Sequence, residues 1–148
     1  IVDCPGAVLR KVISGKPLLI KPNLDEFHDL TRSSARTIRS VQNLAKNLLD
    51  QVPLICVSSV EDGTLFVTRS GSYFGRIPNI KIKSTVGAGD SMVAAMTAQI
   101  FSGNSSSEDL LRWGLAASAA TLTRSGTALG SEDQIRRHYK SISVERIK

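Results

Sequence analysis

Two glycines one residue apart, followed at once by an aspartate and a long apolar run, form the most chemically suggestive stretch of this sequence: Ser84-Thr85-Val86-Gly87-Ala88-Gly89-Asp90-Ser91-Met92. Gly87 and Gly89 let the backbone turn sharply and bring its N–H groups close to a ligand. The helix expected to follow directs its positive end, with unpaired N–H donors, at the same point. An anion belongs there. Asp90 falls in the first turn, where its carboxylate is placed to take a proton from a nearby hydroxyl. Together these parts read as a phosphoryl-transfer site: donors that hold developing negative charge, beside a base that activates the attacking oxygen. The same residues also suit a plain tight turn before a helix, with Asp90 favoured there only by the helix dipole.

Other polar residues read structurally when taken alone. Asn23 suits a helix cap and Glu26 a first-turn acid. Lys21 is a strand-end lysine, either solvated or adding positive charge near an anion. Cys4 and Cys56 sit in strand-like, apolar surroundings without metal or CxxC spacing, and two buried thiols are expected, a disulfide being the alternative. His28 and His138 lie on expected surface helices without partner spacing. Trp113 reads as a packing residue and Arg136-Arg137 as a solvated helix face.

The elements that must position these residues alternate between apolar runs and helical patterns, the signature of an α/β fold with a mainly parallel sheet. Ile1-Val2-Asp3 reads as the tail of a strand, so an upstream portion of the protein is expected to precede it. Ala7 to Ile13 has helical spacing, and Leu18-Leu19-Ile20 suits a strand buried on both faces. Leu24 to Leu30 reads as a short helix. Ser34 is expected to cap a long amphipathic helix with Ile38, Val41, Leu44, Ala45, Leu48 and Leu49 on its apolar face. Leu54 to Val57 and Gly63 to Thr68 read as strands, and Ser70-Gly71 turns into an antiparallel extension at Tyr73-Phe74-Gly75. Ile80-Lys81-Ile82-Lys83 alternates like an exposed edge strand. An apolar helix is expected from about Ser91 to Phe101, then a polar loop over 102–107 whose last serine, Ser107, caps an Ala-rich helix to about Leu122. Ser131-Glu132-Asp133 opens a final surface helix.

The chain's 148 residues suit one domain, with 41% hydrophobic and 22% charged residues, both ordinary for soluble globular chains. No apolar run approaches the ~20 residues of a membrane span. The net charge of +6, from 19 Lys and Arg against 13 Asp and Glu, favours an anionic ligand. The basic residues are scattered, and 5% aromatic content argues against a stacking platform for nucleic acid.

Thr85-Val86-Gly87-Ala88-Gly89-Asp90-Ser91 followed by Met92-Val93-Ala94-Ala95-Met96-Thr97 closely resembles the C-terminal signature of PfkB carbohydrate kinases. Lys21-Pro22-Asn23-Leu24-Asp25-Glu26 resembles the same family's Asn-x-x-Glu motif, in matching order and at similar separation. The resemblance covers nearly the whole chain. It implies a ribokinase-like three-layer α/β/α sandwich, of which residues 1–148 would be a single C-terminal nucleotide-binding and catalytic portion. The sugar-binding N-terminal half and lid would lie outside it, so this chain alone is expected to turn over weakly or not at all.

By the same resemblance Asp90 matches the catalytic base, and Gly87, Ala88 and Gly89 the anion hole. Asn23 and Glu26 match residues that organise Mg2+ and its waters, and Lys21 and Thr85 lie toward the nucleotide. Ser58 and Gly63 match a Ser-x-Gly-x-x-Gly turn that contacts the nucleotide. Val60 stands where the first glycine of that turn would be, and a β-branched residue resists positive φ, so the turn is expected to differ. Thr123 to Gly130 would form the loop around adenine. The implied reaction is phosphoryl transfer from ATP to a sugar phosphate in the cytoplasm, with fructose 6-phosphate the first choice of acceptor. Fructose 1-phosphate, tagatose 6-phosphate or an unphosphorylated sugar are alternatives, and so is a non-catalytic nucleotide-binding module. Neither nucleic acid nor membrane is implied as a partner, and the full-length protein is expected as a homodimer.

Overall fold

The computed structural model describes residues 1–103 and 106–148. The chain divides into two units, Ile1–Phe74 with Arg146–Lys148, and Gly75–Glu145. Among the described residues, no helix is long and apolar enough to cross a membrane.

In the first unit, Gly6–Val12 forms α1, running on into a single 3-10 turn to Gly15. Strand β1 is only Leu19–Ile20, and both residues are fully buried. Leu18, expected in the strand, is 45% exposed. Val2 makes one parallel bridge to Ile20, so the opening strand survives as a single rung. Helix α2 follows at Leu24–Thr31 and α3 at Ile38–Lys46. The cap of α3 is Thr37, not Ser34. Ser40, three residues on, returns its hydroxyl to the Thr37 N–H, and Glu61 Oε1 accepts from the Ile38 N–H at 2.8 Å. Two further acceptors thus favour Thr37 over a serine with no reciprocal partner.

Strand β2 runs Leu54–Val60, past the expected end at Val57, and β3 covers Gly63–Thr68. Only Glu61 and Asp62 separate them, with φ of 43° and 60°. Left-handed φ at both central residues is what a type I′ hairpin turn requires. A two-residue link permits only antiparallel pairing, and β2–β3 is antiparallel, with Cys56 opposite Phe66. The α/β class is as expected, but the sheet is mixed. The pair β1–β2 is parallel, with Leu19 opposite Leu54, and the strands follow the order β1-β2-β3-β4-β5. Strand β4, Gly71–Arg76, and β5, Ser143–Ile147, each contain the residues at which the chain divides. Phe27, Val41, Ile55, Val57, Leu65, Val67 and Phe74 belong to the core of the first unit.

In the second unit, Ala88–Ser102 is α4, Ser107–Leu122 is α5 and Glu132–Tyr139 is α6. Helix α4 therefore starts three residues earlier than expected, taking Ala88 and Gly89 into its first turn. Ser106 caps α5 through the Asp109 N–H, so Ser107 is the first helical residue rather than the cap. The rest of that expected loop includes 104–105, outside the described residues. Ile80–Lys83 forms no strand: Ile82 is 57% exposed, and the Lys83 N–H donates to the Leu122 carbonyl at the end of α5. Its alternation found no neighbouring strand edge, and the helix end satisfies its backbone instead.

The Ala-rich character of α5 answers a packing demand. Ala116, Ala117, Ala119 and Ala120 are buried, and a Cβ on Gly114 would lie 2.9 Å from Met96 Cγ of α4. The Trp113 and Tyr139 rings stack with centroids 4.5 Å apart, and the Tyr139 hydroxyl donates to Asp109 at 2.6 Å, holding α6 against α5.

Phe27 is completely buried in the first unit. Phe27→Ala should cost about 3–5 kcal/mol of unfolding free energy, the range for deleting a buried ring, measurable as a lower urea midpoint.

Candidate active site

The chemistry-bearing residues fall into two clusters, one in each unit. In the first, β1 runs straight into Lys21-Pro22-Asn23. The Ser58 N–H donates to the Pro22 carbonyl at 3.0 Å, and Asn23 bridges Ser58 in parallel register. Asn23, Glu26 and Ser58 are thereby gathered at the carboxyl ends of the parallel strands β1 and β2, where open α/β sheets characteristically place ligands.

Asn23 and Glu26 form a capping box. Asn23 Oδ1 accepts from the Glu26 N–H at 2.9 Å, and Glu26 Oε2 accepts from the Asn23 N–H at 2.8 Å. The box engages one carboxylate oxygen, and Glu26 Oε1 takes no hydrogen bond from the protein among the described residues. No group of three or more His, Cys, Asp or Glu that could hold a metal occurs among those residues. This donor set fits a hydrated Mg2+ reached through one carboxylate oxygen and waters, the usual manner of that ion, and not an all-protein cage.

Lys21 is not solvated. It is 7% exposed, and its Nζ lies 3.2 Å from Asp3. Its partner is the acidic residue that ends the opening strand segment. Beneath the cluster Cys56 is fully buried, which pushes its thiol up to about 12, the nearby Lys21 charge opposing this. It is an inert thiol. Cys4, expected to be buried, is half-exposed, and neither cysteine is in a disulfide.

The expected glycine turn takes another form. Val60 is extended and fully buried in β2, opposite Gly63, and the left-handed conformations fall on its neighbours. Ser59 has φ 63° at the register shift between Ser58 and Val60, so a β-bulge bends the strand end beside Asn23. A non-glycine residue held there costs on the order of 1–3 kcal/mol, and such residues cluster where ligands are held. The bulge and the acceptor that Glu61 supplies to the Ile38 N–H carried no signal in the sequence, although Asp62-Gly63 carries a turn signal.

In the second unit the glycine loop meets the start of α4. Gly87 is the N-cap with φ 79°, and no side chain caps the helix. The Ser91 N–H bonds to the Gly87 carbonyl, while the N–H groups of Gly89 and Asp90 have no protein acceptor among the described residues. Helices α2, α3, α5 and α6 are each capped by their own side chain, Asn23, Thr37, Ser106 and Ser131. Such a cap is worth about 1 kcal/mol, and α4 forgoes it. Asp90 and Thr85 are exposed and Ala88 is buried, so water or an anion can reach the open donors.

The loop is held from behind. Ser91 Oγ and Thr121 Oγ1 lie 2.8 Å apart, and Thr121 Oγ1 also accepts from the Gly130 N–H at 3.1 Å. A Cβ on Gly130 would stand 2.4 Å from Ala120 Cβ, and one on Gly87 would stand 3.0 Å from Leu129 Cδ2. The segment 123–130 thus closes on the end of α5 and on Gly87, with Thr121 as the joint. Thr121 is a positioning residue that pattern reading missed, because its role is set by tertiary contact alone.

The model of the pfkB family carbohydrate kinases matches residues 2–134. The chain is 35% identical over 123 residues to a 1-phosphofructokinase of Borreliella burgdorferi, covering 82% of this chain and 40% of that protein. It is 34% identical over 146 residues to the ATP-dependent 6-phosphofructokinase isozyme 2 of Escherichia coli, covering 97% and 47%. The crystal structure of Escherichia coli phosphofructokinase-2 with substrates and products superposes with a TM-score of 0.87 at 33% identity, over 95% of this chain and 46% of that one. The chain spans about half the length of the relatives it matches.

Asn23→Ala removes the acceptor of the Glu26 N–H and leaves the backbone N–H of residue 23 on Glu26 Oε2. It should lower stability by about 1 kcal/mol in the absence of any ligand, read from denaturant titration.

Proposed function

This chain belongs to the pfkB family of carbohydrate kinases, and we propose that it is the nucleotide-binding and catalytic part of an enzyme that transfers the γ-phosphoryl group of ATP to a hydroxyl of a fructose phosphate. The observation that carries the reading is the uncapped start of α4, where the N–H groups of Gly89 and Asp90 stand open beside an exposed carboxylate.

The parts divide by their chemistry. Asp90 accepts the proton of the acceptor hydroxyl as its oxygen attacks phosphorus, and the proton stays on the carboxyl until product leaves. The open N–H donors, with the positive end of α4, hold the charge that grows on the transferring group. They are fixed before substrate arrives, because Gly87, Ser91, Thr121 and Gly130 lock the loop. Asn23 and Glu26 would orient the waters of a bound Mg2+, with Glu26 Oε1 available to them, and Lys21 and Ser58 would face the nucleotide phosphates. When bound, Mg2+ neutralises phosphate charge that the side chains alone do not balance.

Fructose 6-phosphate is the first choice of acceptor, giving fructose 1,6-bisphosphate. Fructose 1-phosphate is the second reading, favoured by the names of relatives such as the Borreliella burgdorferi protein. Neither reading includes a nucleic-acid or membrane partner. The whole protein is proposed to act in the cytoplasm as a homodimer, and this chain alone to be weakly active at most.

The test uses the full-length open reading frame, following ADP release from MgATP with fructose 6-phosphate, fructose 1-phosphate, tagatose 6-phosphate and ribose. Turnover should appear with one fructose phosphate. Asp90→Asn should then lower kcat by about 10²–10⁴-fold, the usual contribution of a general base, with nucleotide affinity nearly unchanged. Turnover with ribose alone would overturn the fructose-phosphate assignment. Folded protein that binds ATP, is inert with every acceptor and is indifferent to Asp90→Asn would point to the nucleotide-binding module.

A further inference from the structure

A cavity of about 660 Å3 opens in the first unit between α3, the β3–β4 turn and the end of β5, and it is lined by none of the residues assigned above. Two observations set it apart from an ordinary surface recess. Gln42 of α3 and Ser72 of β4 both line it, are 3% and 2% exposed, and carry buried polar atoms, Gln42 Nε2 and Ser72 Oγ, that find no hydrogen-bond partner. Leaving such a group unsatisfied costs about 1–3 kcal/mol, a large share of a domain's net stability of ~5–15 kcal/mol when two occur together.

The second observation is charge. Lys46, Arg69, Arg146 and Lys148 line the cavity, and its lining contains no acidic residue. Arg69 is engaged with Asp50 at 3.0 Å. Arg146 donates to the Ser70 carbonyl at 2.8 Å, and its Nε would lie 2.9 Å from a Cβ on Gly71, so the turn is shaped around the guanidinium. Lys46 and Lys148 have no ion-pair partner among the described residues. The volume lies in the range of small-molecule sites, ~300–1,000 Å3.

We propose that this cavity is a second ligand site for a small phosphorylated metabolite, with Gln42 Nε2 and Ser72 Oγ donating to its phosphate oxygens and Lys46 and Lys148 neutralising its charge. A phosphomonoester meets each unmet demand: it offers acceptors to both orphaned groups and negative charge to both lysines. Arg146, already fixed, supplies a static positive wall. The site goes beyond the kinase reading and uses no residue of it.

The test is calorimetric titration of the full-length protein with glycerol 3-phosphate, in the presence of a non-hydrolysable ATP analogue and fructose 6-phosphate. Wild type is compared with Gln42→Leu and with Lys46→Glu, the latter an exposed position that leaves folding intact. Binding to wild type should weaken roughly tenfold to a hundredfold in each variant, the loss of one hydrogen bond or contact to a charged group. Gln42→Leu should also raise the melting temperature of the unliganded protein, because it removes the orphaned amide. Absence of glycerol 3-phosphate binding to wild type, or equal affinity in all three proteins, overturns the proposal. The comparison rests on the variants, so such a failure leaves the kinase reading untouched.

Discussion

A helix begins with N–H groups that no residue of the helix can accept, and the chain resolves this constraint in two ways. At four helices a side chain closes the end, Asn23, Thr37, Ser106 and Ser131 each accepting from the first turn, while α1 starts after Pro5 without one. At α4 the cap is a glycine in the left-handed region, which turns the chain without offering an acceptor. Capping contributes about 1 kcal/mol per helix, and its omission at α4 leaves donors facing solvent. The exposure of Asp90 keeps the omission inexpensive without ligand, since water satisfies what the protein does not. Much of the second unit then reads as support for that open end, through the Ser91–Thr121–Gly130 joint and the small residues of α5.

The first unit handles its chemistry differently. Asn23 and Glu26 are engaged with each other's backbone, so architecture and candidate metal contact share the same two side chains. A carboxylate has two oxygens, and the capping box takes one. This sharing holds Glu26 in a single orientation, which is what outer-sphere organisation of an ion requires. Lys21, buried against Asp3, brings positive charge to the end of β1 while its partner limits the cost of burying it.

What was legible in the sequence was whatever depends on residues three or four apart. Asn23 as a cap with Glu26 in the first turn, the start of the last helix at Ser131, the glycine turn and the placement of most helices and strands follow from local spacing. Features set by distant neighbours were not legible. Thr37 prevails over Ser34 as the cap of α3 because Ser40 reciprocates and Glu61, 23 residues from Ile38, adds an acceptor. Ile80–Lys83 alternates as a strand would, yet no strand edge receives it. Ser143–Ile147 forms β5 without an apolar run to announce it, its burial pattern being mostly exposed. Val60 was rightly read as unable to take positive φ, and the bulge moves that conformation to Ser59 and to the hairpin turn.

The central claim, that the open donors of α4 receive the transferring phosphoryl group, is tested most directly by amide hydrogen exchange at single residues. The full-length protein would be compared free and with ADP, aluminium fluoride, Mg2+ and fructose 6-phosphate bound. Exchange at Gly89 and Asp90 should slow markedly on binding, while the first-turn amides of α5 and α6, already near their caps, should change little. Unchanged exchange at Gly89 and Asp90, in protein shown to hold the nucleotide complex, would contradict the account.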